Sequence, residues 1–212
     1  QASVFYQDRD DVQTKQSLVT SIDSGIVGGD CPCSFSDYIG NAASGSNYGL
    51  ELEFLWILNN KVEIFSTIGF LETEFKNFIS YSHINADPGN GRGFDLSGRE
   101  QSHAPKYQFN LSLNYNLSEN LFFNLNLEAK DEFYFSDRHD SKSKSYNLLN
   151  FVVSYKKNSY EINFYGKNIT DEDYQTRGFG SFGNDPRKFY ITEQYNQYAA
   201  PRVFGINGKR FF

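Results

Sequence analysis

The side chains able to do chemistry in this chain recur two residues apart. Glu51 and Glu53, and again Glu72 and Glu74, are carboxylate pairs at that spacing. On an extended chain, such a pair lies on one face, where it could hold a cation or a chelate, or remain as solvated charge. Lys106 and Gln108 follow the same rule, and so do Lys130, Glu132 and Tyr134. The last third adds Arg177, Arg187 and Tyr195, with Phe179 and Tyr198 among them. Aromatics beside guanidinium and amide groups suit a sugar by stacking or an anionic chelate by charge, and they equally suit packing between loops. Glu51, Glu53 and this series from Lys106 to Tyr195 are the candidate ligand-binding residues.

Catalytic and metal chemistry find less support. His83, His103 and His139 are scattered, and no Ser or Cys stands near a recognisable base partner, so the set a hydrolase needs is missing and neither an enzyme nor a cofactor is expected. Cys31 and Cys33 flank Pro32; two thiols fall short of the four ligands of a structural zinc site. They read as a small local disulfide or two thiols in a loop, with a metal or redox role as the other reading. Gly89–Gly93 follows Pro88 and precedes no helical pattern, so it reads as loop rather than phosphate cradle.

The elements that must position these groups are strands. Lys106–Tyr115 sets Tyr107, Phe109, Leu111, Leu113 and Tyr115 against Lys106, Gln108, Asn110, Ser112 and Asn114. The same period of two runs through Leu50–Leu58, Val62–Phe70, Leu121–Phe135, Leu149–Tyr155 and Tyr160–Tyr165, the mark of half-exposed strands. About eight strands are expected, over 2–16, 46–58, 61–80, 105–117, 121–136, 145–156, 160–167 and 201–212. Many reach the ~9–11 residues that cross an outer membrane, where soluble strands usually run ~5–6. Tight polar turns at Asn59-Asn60, 118–120 and 157–159 alternate with long stretches at 21–47, 82–104, 137–144 and 168–200. Short turns at one end and long loops at the other are the habit of outer-membrane barrels. A charge facing lipid at mid-membrane costs roughly 2–4 kcal/mol, so the faces bearing Glu51, Lys106, Glu128, Lys130, Glu132 and Glu161 should line the lumen. The Leu/Phe/Tyr faces should meet lipid, with Tyr107, Tyr115, Tyr155 and Tyr160 in aromatic girdles.

Composition agrees with a wall of this kind. The 212 residues include 21 Phe and 15 Tyr but no Met, and hydrophobic residues make up only 39%. Mean hydropathy is −0.58, and no stretch approaches the ~18 apolar residues of a membrane helix. The aromatics argue against disorder. A net charge of −6 offers no field for phosphate backbones, so no nucleic-acid partner is expected. The opening Gln1-Ala2-Ser3-Val4-Phe5 has no signal-peptide pattern, as in a mature product or a piece of a longer chain.

The C-terminal third carries a resemblance. Tyr165-Gly166-Lys167-Asn168-Ile169-Thr170-Asp171-Glu172-Asp173-Tyr174, then a long loop, Pro201-Arg202-Val203-Phe204-Gly205 and a terminal Phe212 together resemble the end of TonB-dependent receptors. Phe5–Asp11 and Asn47–Glu53 resemble other parts of that family, while Gly208 and Arg210 replace apolar residues usual before the final Phe. Asn168, Thr170 and Asp171 also read simply as residues that end a strand.

The resemblance implies an all-β, transmembrane, antiparallel up-and-down β-barrel. Residues 1–212 would be the C-terminal portion, about the last eight strands of about 22, with the plug domain and earlier strands absent. It further implies a receptor in the bacterial outer membrane that imports a scarce nutrient, such as an iron chelate, cobalamin or carbohydrate. Its partners would be outer-membrane lipid, the ligand, and the TonB energy-transducing complex acting through the missing plug. Two other classes stay open: a complete eight-stranded barrel acting as adhesin or structural porin, and a secreted soluble sugar-binding β-protein.

Overall fold

A computed structural model describes residues 1–22, 33–87, 90–182, 186–188 and 193–211. The strands are β1 (Ala2–Ile22), β2 (Cys33–Ile57), β3 (Val62–Ser80), β4 (Phe94–Asp95), β5 (Tyr107–Asn116), β6 (Leu121–Lys130), β7 (Tyr146–Lys157), β8 (Tyr160–Lys167), β9 (Gln175–Phe182), β10 (Glu193–Tyr198) and β11 (Val203–Arg210). The main sheet runs β1-β2-β3-β5-β6-β7-β8-β11, antiparallel at every step, with β4 beside the upper end of β3. Among the described residues β1 and β11 are not paired with each other, as a closed eight-stranded barrel would require.

Register makes the two faces chemically distinct across the whole sheet. Leu52, Ile68, Phe109 and Ala129 stand opposite one another in one row, and Trp56, Ile64, Leu113, Leu125 and Phe151 in another. One residue along, the opposite face carries Glu53, Thr67, Asn110 and Glu128. A slip of one position would exchange the faces, so the alternation fixes the pairing. Tyr107 and Tyr115 lie eight positions apart on the apolar face, about 27 Å along a strand, the scale of the ~25 Å apolar band of outer-membrane barrels. Tyr115, Tyr155 and Tyr160 mark the short-turn end, where Trp56 joins them; Tyr6, Tyr48 and Phe70 are exposed at the other end beside Tyr107.

The turns follow local chemistry. The Asn59 carboxamide oxygen accepts from the amides of Lys61 and Val62 at 2.8 and 3.1 Å, and Asn158 takes φ 53° in the β7–β8 turn, a conformation Asn tolerates. Asn168, φ 48°, ends β8: its side chain donates to the Glu172 carbonyl and accepts from the Glu172 amide, each at 2.9 Å.

Three long stretches differ from the sequence reading. The ladder between β1 and β2 continues through most of 16–46, because each strand offers the other a partner even where alternation fades. Two adjacent ladders shift register at one level, β1–β2 between Arg9 and Val12 and β2–β3 where Ser44 and Gly45 face Asn77 and Phe75. Beyond that level Ala43, Phe75, Phe78 and Leu96 form a small buried core, with Val12 and Phe94 against it. The strand expected over 121–136 ends at Lys130, and Phe133 and Phe135 turn inward to 3% exposure each rather than continuing the apolar face. The stretch 168–200 is not all loop, since β9 and β10 pair within it. The Cys31–Cys33 reading lies outside the described residues.

The two faces give a measurable expectation. Leu125→Arg, at mid-strand on the apolar face, lowers unfolding stability in a bilayer by about 2–4 kcal/mol. Its neighbour Asn124→Arg, on the polar face, loses one hydrogen bond, about 0.5–1.5 kcal/mol. Denaturant titration of the two variants in lipid vesicles checks the difference, and equal losses would contradict the facing.

Candidate ligand-binding wall and loop cluster

Two cross-strand rows on the polar face enclose a hollow. The upper row is Ser3, Glu51, Gly69, Gln108, Lys130 and Tyr146; the lower is Glu53, Thr67, Asn110, Glu128 and Leu148. All but Leu148 line the hollow. Gly69 makes the floor: a Cβ placed there would meet nothing nearer than the Gln108 carbonyl oxygen at 4.0 Å. The absent side chain is therefore the space. Four sequence candidates, Glu51, Glu53, Gln108 and Lys130, thus come together, joined by Glu128 and Tyr146. The wall bears three carboxylates and one ammonium, whose Nζ lies 4.6 Å from the Phe133 ring centroid.

Below and beside the hollow, carboxamides bond to one another across strands. Asn126 donates to Asn110 at 3.2 Å and to Ser112 at 2.9 Å; Asn150 donates to Asn126 at 3.3 Å and to Glu128 at 3.2 Å. The Asn150 oxygen in turn accepts the buried Asn168 amide at 2.9 Å. A second chain runs from Asn124 to Asn114 at 2.7 Å and on to Glu63 at 3.2 Å. Alternation alone indicated polar side chains here; their lateral bonding depends on register.

Three further candidates, Lys106, Glu132 and Tyr134, sit above the hollow in a chain of alternating charge. Lys106 lies 3.8 Å from Glu72 and 3.1 Å from Glu100, and Lys142 lies 3.4 Å from Glu100 and 2.9 Å from Glu132. Burial raises the Glu100 carboxyl, and Lys106 and Lys142 more than offset this, holding it below the usual glutamate range. Tyr134 has two cations over its ring, Arg99 at 3.8 Å and Lys142 at 4.3 Å from the centroid. Arg99, Glu100 and Lys142 lie in stretches without period, so spacing gave no sign of them.

The last candidates lie on and near the β9–β10 ribbon. Arg177 pairs with Gln197 and Phe179 with Tyr195 across its strands, and the Arg177 guanidinium sits 5.4 Å from the Phe179 ring centroid. Gly178 presses against Phe135, where a Cβ would come within 2.5 Å of the ring. The Tyr195 hydroxyl donates to Glu193 at 3.0 Å. Arg187 is exposed in the single turn at 186–188.

The histidines are not scattered in space. His83 and His139 are buried within one loop cluster, and His103 tilts against Phe133 at 5.4 Å. Among the described residues no group of three or more His, Cys, Asp and Glu could hold a metal ion.

A family model described as TonB dependent receptor-like, beta-barrel, matches residues 1–169. Among solved structures, the chain is similar to the ferric yersiniabactin uptake receptor FyuA from Yersinia pestis, with a TM-score of 0.68 at 19% identity over 100% of this chain and 27% of that one. It is also similar to the siderophore receptor PiuA from Acinetobacter baumannii, with 0.65 at 16% over 99% and 26%. The Ferric-Catecholate import receptor Fiu from E. coli K12 gives 0.62 at 14% over 100% and 25%. At such identities the likeness is one of fold, and the chain spans about a quarter of each of these proteins.

The carboxamide ladder is testable at its hub. Asn150→Leu leaves the buried Asn168 amide without its acceptor, a loss of about 1–3 kcal/mol in denaturant unfolding. Unchanged stability would mean that the ladder does not hold β7 to the end of β8.

Proposed function

The chain belongs to the family of TonB-dependent receptor β-barrels, receptors of the Gram-negative outer membrane rather than enzymes, and on that footing we propose that residues 1–212 are the C-terminal portion of a nutrient importer. In this reading they supply about the last eight strands of about 22, and their apolar face meets outer-membrane lipid. The ligand is an iron chelate, ahead of cobalamin or a carbohydrate, and energy comes from the TonB complex through a plug domain elsewhere in the receptor.

The carrying observation is the contrast between the faces, with the Gly69 hollow on the polar one. Each unpaired backbone group in hydrocarbon costs several kcal/mol, so the edges of β1 and β11 favour a sheet with further strands over a complete small barrel. An apolar face across every strand of the main sheet favours membrane over a secreted sugar-binding protein. Arg177, Phe179 and Tyr195, with Arg187, offer charge and ring surface for capturing an anionic chelate. Below them the mixed-sign hollow, with Lys130 and Gln108 facing Glu51 and Glu53, offers space without a strong anion trap. Lys106, Glu132 and Tyr134 brace the loops between.

The experiment is uptake of radiolabelled ferric chelates by iron-starved cells carrying the full-length receptor. At least one chelate is expected to enter, and only when TonB is present. Import of cobalamin or an oligosaccharide instead would move the substrate class, and uptake independent of TonB would overturn the energy source. Gly69→Leu, which fills the hollow in open space, is expected to leave barrel assembly intact by heat-modifiable mobility and to lower uptake at least about 10-fold, a change of about 1.4 kcal/mol. Undiminished uptake would remove the hollow from the route.

A further inference from the structure

Outside the hollow, the most unusual chemistry lies where segment 81–104 meets segment 131–145. Arg99 reaches across: Nη1 donates to Asp140 at 3.1 Å, and Nη2 donates to the carbonyls of Ser136 and His139. His83 stacks on Phe94, with ring centroids 3.9 Å apart and planes 7° from parallel. Its Nδ1 accepts the Asn85 amide at 3.1 Å, so its Nε2 carries the hydrogen that faces Asp140 at 3.3 Å. His139 is 2% exposed, and neither ring nitrogen has a hydrogen-bond partner among the described residues. Two main-chain bonds complete the junction, Ile84 amide to Arg138 carbonyl and His103 amide to Tyr134 carbonyl, each at 2.8 Å.

We propose that His83 and His139 make this junction an acid-opened latch, holding the two segments together when neutral and releasing them when protonated. A proton on His83 must go to Nδ1, the atom already occupied by the Asn85 N–H, so charging that ring costs the bond that seats it. A proton on His139 creates a buried cation beside the Arg99 guanidinium, with the Gly178 carbonyl as the acceptor near it. The charged groups around the pair are Arg99 and Glu100 on the first segment and Asp137 and Asp140 on the second, with Tyr134 under Arg99 and the Gly178 carbonyl facing His139 from β9. Asp140, half exposed, already serves both Arg99 and His83, leaving little to compensate a third cation.

Burial pushes both imidazoles below the ordinary histidine value of 6.5; Arg99 acts in the same direction and Asp140 opposes it. A base whose value is lower when latched than when free contributes full stability above the free value and loses it as pH falls below. The latch therefore holds at pH 7.5 and opens progressively below 6.5. Its operation needs no ligand and no TonB, so it stands or falls separately from the importer reading.

The test is hydrogen exchange on the full-length receptor in nanodiscs between pH 7.5 and 5.0, corrected for the intrinsic pH dependence of exchange. Peptides containing Ile84 and His103 are read against the β5–β6 ladder. The opening constant for the two amides is expected to rise at least about 10-fold, the effect of one linked proton over one pH unit, with a limiting slope near two protons and no change in the ladder. His139→Phe, which removes the titrating ring and keeps an aromatic in its place, should reduce the slope to about one, and His83→Gln with His139→Phe should abolish it. A flat wild-type profile overturns the latch whether or not the variants assemble, and so does a double variant that opens in acid like the wild type.

Discussion

Hydrocarbon supplies no hydrogen bonds, so a chain that crosses a membrane in strands has to satisfy its amides and carbonyls along one continuous ladder. That ladder in turn fixes which way every side chain points, because neighbours along a strand face opposite sides. Here the ladder runs through all eight strands of the main path. Ile68, Phe109 and Ala129 align because Thr67, Asn110 and Glu128 do. The polar face is organised by the same register: an asparagine on one strand meets an asparagine on the next and bonds to it, as Asn126 does with Asn110 and Asn150. These amides are committed to each other and to Glu63 and Glu128, which leaves a hydrogen-bonded lining on the wall. Free chemistry concentrates at its upper margin, around Gly69.

Much of this was legible from the sequence. Period-two alternation located β2, β3, β5, β6, β7 and β8 and assigned Glu51, Glu128, Lys130 and Glu161 to a common face, since it depends only on backbone geometry. The Asn168–Asp171 turn was legible for the same local reason. Less accessible were pairings set by chain return rather than period. Phe133 and Phe135 fit the apolar alternation, yet leave it because loop residues offer them a drier environment than the end of a strand. Arg99, Glu100 and Lys142 carry no period at all, and only folding brings them to Tyr134. The histidines, 83 and 139 in number, could not be joined by spacing when the segments that hold them are separated by two full strands.

Loops above the wall are tied by interactions of unequal worth. Exposed ion pairs such as Lys76–Asp8 at 2.7 Å contribute ~0–1 kcal/mol each, whereas buried rings and a guanidinium with several acceptors define position more firmly. The loop cluster thus combines an apolar seat, Phe78 and Leu96 at 0% and 2% exposure, with polar bridges that respond to conditions.

The aligned register shifts of the β1–β2 and β2–β3 ladders have a mechanical meaning. One extra residue on a strand bends it and increases its twist, and the shifts at Arg9–Val12 and at Ser44–Gly45, which faces Asn77 and Phe75, lie at one level and act as a crease across these strands. Below it the strands are parts of a stiff shell; above it the long β1–β2 ribbon is a blade joined along a fold line. The bend turns the ribbon away from the line of the wall, and Val12 and Ala43 packed on Phe75, Phe78 and Leu96 fix the angle at which it leaves.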